Sequence, residues 1–219
     1  GQGAPLVPIG DQHLFSQVDF CINLGGISTL SLEKNGQRIA FDCSPFNLLL
    51  NREAVKLGST YDQDGDWARA GNLNQALLAQ LNALSFYAVS GAKSLGRESI
   101  DQVFIPLLDQ AGLSPKDCLR TLVEHFAIQI AALIRTHASK ATPSVLLTGG
   151  GAYNRYFVER LDHHLNQNWV QVEASKELIE FKEALIFAFL GVLKLRGEAN
   201  ALASVTGAAR DSSGGIVFG

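Results

Sequence analysis

Thr148-Gly149-Gly150-Gly151 follows a short apolar run, 145–147, and leads through Ala152-Tyr153-Asn154 into an amphipathic stretch. This pattern predicts a strand, a turn without side chains and a helix N-terminus in succession. Such a turn lets a ligand lie against backbone N–H groups, where the helix dipole favours anions. Three glycines also remove the Cβ atoms that would hold a flat base or a phosphate away from the chain. The same residues equally suit a bare turn from sheet to helix. No Lys-Ser or Lys-Thr follows, and the glycine spacing is not that of a dinucleotide fingerprint.

Other reactive groups are sparse. Asp62-Gln63-Asp64-Gly65-Asp66 begins like a calcium loop, but its glycine and terminal Glu fall out of register, so the stretch reads as a solvated loop. His125 lies beside the apolar stripe of a long helix and reads as a packed or solvent-facing histidine. Cys21, Cys43 and Cys118 are odd in number and lack C-x-x-C spacing. They read as buried thiols of a reducing, cytoplasmic compartment.

The elements that must position these groups follow from hydrophobic period and turn chemistry. Strands are expected over 18–24, 27–33 and 37–42, with Asn35-Gly36 as a type I′ hairpin turn. Helices follow over 45–57, 73–82 and 100–111. The clearest helix spans 115–137, with Ser114 as N-cap, Pro115 at N1 and an apolar stripe from Leu119 to Ile134. A strand at 144–147, a helix over 154–165, a strand at 169–172 and a helix over 182–196 complete the order. Alternation in the second half predicts a mostly parallel sheet extended by antiparallel hairpin strands.

At 219 residues and 47% hydrophobic, the chain is long enough for one substantial core, or a core with a helical subdomain. A net charge of −3 without a basic run speaks against nucleic acid and anionic membranes as partners. The longest apolar stretch, 184–193, is too short to span a bilayer. With no Met, the first residue is not an initiator, and the chain is expected to be a piece of a longer protein.

The element order resembles the ribonuclease-H-type half of the actin, Hsp70 and sugar-kinase superfamily, in which two such halves bind ATP between them. Particular blocks look more specifically like the anhydro-N-acetylmuramic acid kinase family. These are the opening GQGAPLVP, Asn23-Leu24-Gly25-Gly26-Ile27, Lys93-Ser94-Leu95-Gly96-Arg97-Glu98, the L-T-G-G-G-A-Y-N run ending at Asn154, Glu183-Ala184-Leu185-Ile186-Phe187-Ala188, and Ser204-Val205-Thr206-Gly207-Ala208. The resemblance implies an α/β, ribonuclease-H-like mixed sheet flanked by helices. Residues 1–16 would connect from a missing N-terminal domain, and 17–219 would form the C-terminal ATPase-type domain with a helical insertion at about 60–113.

The implied reaction uses ATP, Mg2+ and water to convert 1,6-anhydro-N-acetylmuramic acid to N-acetylmuramic acid 6-phosphate in cytoplasmic cell-wall recycling. Gly149, Gly150, Gly151 and Asn154 would line the adenosine side. Gly25 and Gly26 would approach the phosphates, with Ser28 and Thr29 as nearby hydroxyls. Glu183 would face the sugar and Asp42 would hold Mg2+ through water. The family's phosphate-binding G-T-S-x-D-G motif and catalytic Asp would lie upstream of Gly1, so this chain alone is expected to be inactive. Lys93 and Arg97 would order a loop or touch substrate. An exposed half-cleft would favour self-association, a homodimer included.

Departures at three places bear on the substrate. Ser44 and Phe46 stand where the family has small residues, which is expected to narrow the sugar loop, and Ala92 and Asn51 replace a proline and an aspartate. The alternatives are a non-catalytic nucleotide-binding or regulatory module of the same superfamily, and an unrelated α/β enzyme with a bare glycine turn.

Overall fold

A computed structural model describes residues 5–89, 91 and 93–218. Gly1 to Ala4 of the opening block, and Ala92, lie outside the described residues. Strands β1 (Phe20–Leu24), β2 (Ser28–Lys34) and β3 (Gln37–Ser44) form an antiparallel meander, with Asn35 and Gly36 both at positive φ in the hairpin turn. β4 (Ser144–Thr148) and β5 (Val170–Gln171) run parallel to β1, giving the sheet order β3-β2-β1-β4-β5. The helices are α1 (Val7–Leu14), α2 (Phe46–Val55), α3 (Asp66–Ala70), α4 (Gln75–Asn82), α5 (Ser85–Ala88), α6 (Arg97–Ser99), α7 (Ile105–Ala111), α8 (Pro115–His137), α9 (Arg155–His164), α10 (Lys176–Leu195) and α11 (Ala203–Thr206).

Strand alternation divides the sheet into two unlike faces. Phe20, Ile22, Leu24, Leu30, Leu32, Val145 and Leu147 face the main core, into which α8 sends Leu119, Leu122, Phe126 and Ile130. The opposite face carries Cys21, Asn23, Thr29, Ser31 and Asp42. It is covered by α1, lying on β2 and β3, and by α10, lying beside β4. Between α1 and α10 a second, smaller core gathers Ile9, Ile186, Leu190, Leu193 and Leu202. Gly10 permits this packing, because a Cβ there would collide with Ile186.

Several elements depart from the sequence expectation. Part of 1–16, read as loop and connector, is helix α1; it has Pro8 in its first turn and buries Ile9, so it belongs to the packed fold. The last long helix starts at Lys176, under a Ser175 N-cap, and is interrupted at Phe181 (φ −121, ψ 15). Its buried residues, Lys182, Ile186, Leu190 and Leu193, all follow the interruption, which is why only that part reads as periodic. The helix expected over 100–111 opens as a π-helix, Ile100–Phe104, with Ile105 N–H donating to Ile100 O. Pro106 has no N–H to continue an α ladder at that point.

The acidic stretch is more than a solvated loop. Residues Gln63–Gly65 form a 3₁₀ turn, and the Asp62 carboxylate accepts from the Trp67 and Ala68 N–H groups, each at 2.9 Å, capping α3. Among the described residues no group of three or more His, Cys, Asp or Glu could hold a metal. The three cysteines are free and buried. Burial pushes the thiols of Cys21 and Cys118 up to about 11 and about 12, and that of Cys43 further.

Candidate active site

At the end of β4, Gly149 adopts φ +79, a conformation that side-chain-bearing residues rarely take. A Cβ there would stand 2.6 Å from Asn23 Oδ1 and 3.0 Å from the Leu24 backbone. A Cβ on Gly151 would meet the Phe46 ring at 2.5 Å and Leu24 Cβ at 2.7 Å. Gly150 differs: the nearest atom to its missing Cβ is Asn47 Nδ2 at 3.9 Å, so its backbone is open to a ligand. One glycine makes the turn, one makes the packing, and one faces the cleft. Gly150 and Gly151 open a 3₁₀ turn, Gly150–Tyr153, that leads into α9 at the expected start. Asn154 Oδ1 caps α9 by accepting from Phe157 N–H at 2.9 Å.

Gly150, Gly151 and Asn154 border a cleft of about 610 Å³ whose far walls include Asn47, Asn51, Tyr61 and Glu180. The Gly25–Gly26 bend joins this region through α2. Gly25 O accepts from Asn47 N–H and Gly26 O from Leu48 N–H, both at 3.1 Å, and Asn47 Nδ2 donates to Leu24 O at 2.9 Å. The bend's carbonyls are thus turned onto the start of α2.

A separate cavity of about 230 Å³ lies on the polar face of the sheet, under α1 and α10. Part of its polar lining is one register row, with Asn23 of β1 paired with Thr29 of β2 and Thr29 with Asp42 of β3; Asp11, Ser31 and Lys182 line it as well. Glu183 of α10 stands exposed on the rim. Asp42 Oδ2 accepts from Leu95 N–H (2.7 Å) and Ser94 Oγ (3.1 Å). Burial raises the Asp42 pKa above the usual aspartate value, against the lowering effect of those two bonds.

The structure therefore brings Thr29, Asp42 and Glu183 together, and Gly150, Gly151 and Asn154 together. Asn23 stands between the two groups. Ser28 belongs to neither: it is fully buried, and its hydroxyl donates to Ser44 O at 3.1 Å, because strand alternation turns it away from Thr29. Phe46 does not narrow the cavity, since its ring is buried against Phe126 and Phe157; Ser44 is equally buried. Lys93 donates to Phe86 O (3.3 Å) and lies over the Phe86 ring, and Arg97 pairs with Asp101. His125 is fully buried between Asn82 Oδ1 (2.7 Å) and Tyr87 Oη (2.8 Å), and burial pushes its pKa down to about 3. It is a neutral packing residue.

Sequence reasoning missed the buried polar groups Asp11, Ser31, Arg38 and Lys182, the first, second and last of which line the cavity. One signal was available. Lys182 falls on the stripe of Ile186, Leu190 and Leu193, where a charge demands a buried partner.

The family model described as anhydro-N-acetylmuramic acid kinase matches residues 1–219. The chain is 34% identical over 227 residues to the anhydro-N-acetylmuramic acid kinase of Aliivibrio fischeri, covering 100% of this chain and 61% of that protein. It is 37% identical over 234 residues to that of Mannheimia succiniciproducens, covering 100% and 62%. The chain thus spans about three-fifths of the length of these curated relatives. In fold it is similar to the activator of the 2-hydroxyisocaproyl-CoA dehydratase from Clostridium difficile, a structure with bound ADPNP, at TM-score 0.50 and 12% identity over 88% of this chain and 67% of that one. With its mixed sheet, flanking helices and a family match from first residue to last, the chain belongs to the anhydro-N-acetylmuramic acid kinase family.

Proposed function

We propose that this chain is the C-terminal, nucleotide-side part of a kinase that converts 1,6-anhydro-N-acetylmuramic acid to N-acetylmuramic acid 6-phosphate with ATP and water. The observation that carries the proposal is the Asn23–Gly149 contact, which sets the open Gly150 backbone and the Thr29–Asp42–Glu183 cavity on either side of one residue pair. Adenosine is assigned to the cleft at Gly150 and Gly151, where a bound base meets backbone and no Cβ. The phosphates are assigned to the Gly25–Gly26 bend, and the sugar to the cavity, where Asn23, Thr29 and Glu183 offer the amide, hydroxyl and carboxylate partners that a polyhydroxylated ring needs.

Asp42 suits a magnesium site of the kind that keeps its waters. Its Oδ2 is held by Leu95 and Ser94, which leaves Oδ1 for a metal-bound water. When bound, Mg2+ would offset phosphate charge. Glu183 would orient the sugar, and Thr29 and Asn23 would fix its depth.

The water-activating carboxylate and the second phosphate loop are assigned to a preceding domain that completes the cleft, so these 219 residues alone are expected to bind without turnover. Cytoplasmic cell-wall recycling is the matching setting; no helix among the described residues is long and apolar enough to cross a membrane. Phe181, Leu185 and Phe187 stand exposed on α10, an apolar surface that favours a homodimer or cover by the preceding domain. The test is ATP-dependent phosphorylation of 1,6-anhydro-N-acetylmuramic acid by this chain and by the longer protein containing it. Turnover by the longer protein alone supports the proposal; turnover by neither overturns it.

A further inference from the structure

Lys182 heads the buried stripe Lys182, Ile186, Leu190 and Leu193 of α10, which is otherwise aliphatic. It is 5% exposed, and its Nζ lies 2.6 Å from Oδ1 of Asp11 on α1, itself 2% exposed. The contact is an ion pair off the hydrogen-bonding direction of the carboxylate, since Oδ1 has no directed donor among the described residues. Oδ2 of Asp11 accepts from Ser31 Oγ at 2.8 Å, and Ser31 Oγ accepts from Arg38 Nε at 2.8 Å. One buried chain of polar contacts therefore runs from α10 through α1 to β2 and β3.

Buried charges of this kind add little stability over apolar residues of the same volume. What they add here is direction. The helix is interrupted at Phe181, one residue before Lys182, and Glu183 stands on the cavity rim one residue after it. A helix that restarts after an interruption lacks part of the regular ladder that would orient its first turn, so tertiary contacts must orient it. We propose that Lys182 and Asp11 are positioning residues, locking the restart of α10 against α1 and the hairpin so that Glu183 is aimed at the cavity. The proposal rests on the sugar-facing role assigned to Glu183 above.

The test is Lys182→Met in the full-length protein, which removes one cation and leaves the Asp11 carboxylate with the buried Arg38 guanidinium, 4.0 Å away. Three measurements are made: thermal unfolding, steady-state kinetics with ATP and 1,6-anhydro-N-acetylmuramic acid, and hydrogen exchange of the amides of residues 183–186. Positioning predicts near-wild-type melting, an unchanged KM for ATP, a roughly 10- to 100-fold fall in kcat/KM for the sugar, and faster exchange at 183–186. Lys182→Arg with Asp11 intact is expected to keep most activity. Wild-type turnover in Lys182→Met, or unchanged exchange at 183–186, overturns the proposal. If Lys182→Met does not fold, Lys182→Gln is read by the same three measurements. A wild-type protein that fails to phosphorylate the sugar sinks the role of Glu183, while hydrogen exchange still decides whether the pair holds the helix.

Discussion

Asn23 and Gly149 compete for one position: the Cβ that Gly149 lacks would stand 2.6 Å from the Asn23 side-chain oxygen. β1 and β4 can end side by side only because one of the two has no side chain. Gly149→Ala is therefore expected to destabilise the protein by about 1–3 kcal/mol, from a positive-φ residue forced against backbone and amide. Gly150→Ala should leave stability within about 0.5 kcal/mol, because its missing Cβ points into open space. It should still weaken ATP binding in a calorimetric titration. Equal melting losses in the two variants would show that the glycines do not divide the work.

Asp42 is expected to trade stability for function. Burial raises its folded-state pKa, so the folded protein holds that proton more tightly than the unfolded chain does. Its contribution to stability is therefore lost as pH rises from the ordinary aspartate value of 3.8 through the raised one. Asp42→Asn keeps an acceptor for Leu95 and removes the buried charge. It should raise stability at neutral pH by about 0.5–1 kcal/mol, while sugar phosphorylation by the full-length protein falls. A variant that is both less stable and fully active would refute this.

Glu124 behaves in the opposite sense. Burial acts to raise its pKa, but hydrogen bonds from Arg160, Arg120 and His164 outweigh it and hold the carboxyl at about 2. The stability it contributes is present above the unfolded value of 4.5 and is lost as pH falls through about 2. Glu124→Gln leaves Arg160 and Arg120 without their anion where α8 meets α9. It should cost about 3 kcal/mol in denaturant titrations at pH 7, with the difference from wild type shrinking toward pH 2. A pH-independent difference would argue against the charge network.

Glu183 is exposed, so Glu183→Gln should leave the melting temperature unchanged. In the full-length protein the same change is expected to reduce sugar phosphorylation by roughly 100-fold, with ATP affinity intact. Unaltered kinetics would make Glu183 an ordinary surface residue.

Strand alternation, the Asn35-Gly36 turn, the Ser114 cap with Pro115, and the glycine run after β4 are local properties. Hydrophobic period and backbone freedom are written residue by residue, so the hairpin, α8 and the glycine turn were legible in the sequence. The family resemblance likewise marked Gly150, Thr29, Asp42 and Glu183 as candidates. What no local pattern carries is which side chains meet across distance. Only the tertiary structure put Ser28 in the core and Thr29 on the cavity, buried Phe46 instead of leaving it in the sugar loop, and made a helix of the supposed connector. It also placed Asp11 against Lys182, 171 positions along the chain. A buried charge is tolerated only beside its partner, and that partnership exists only once α1, α10 and the sheet have packed together.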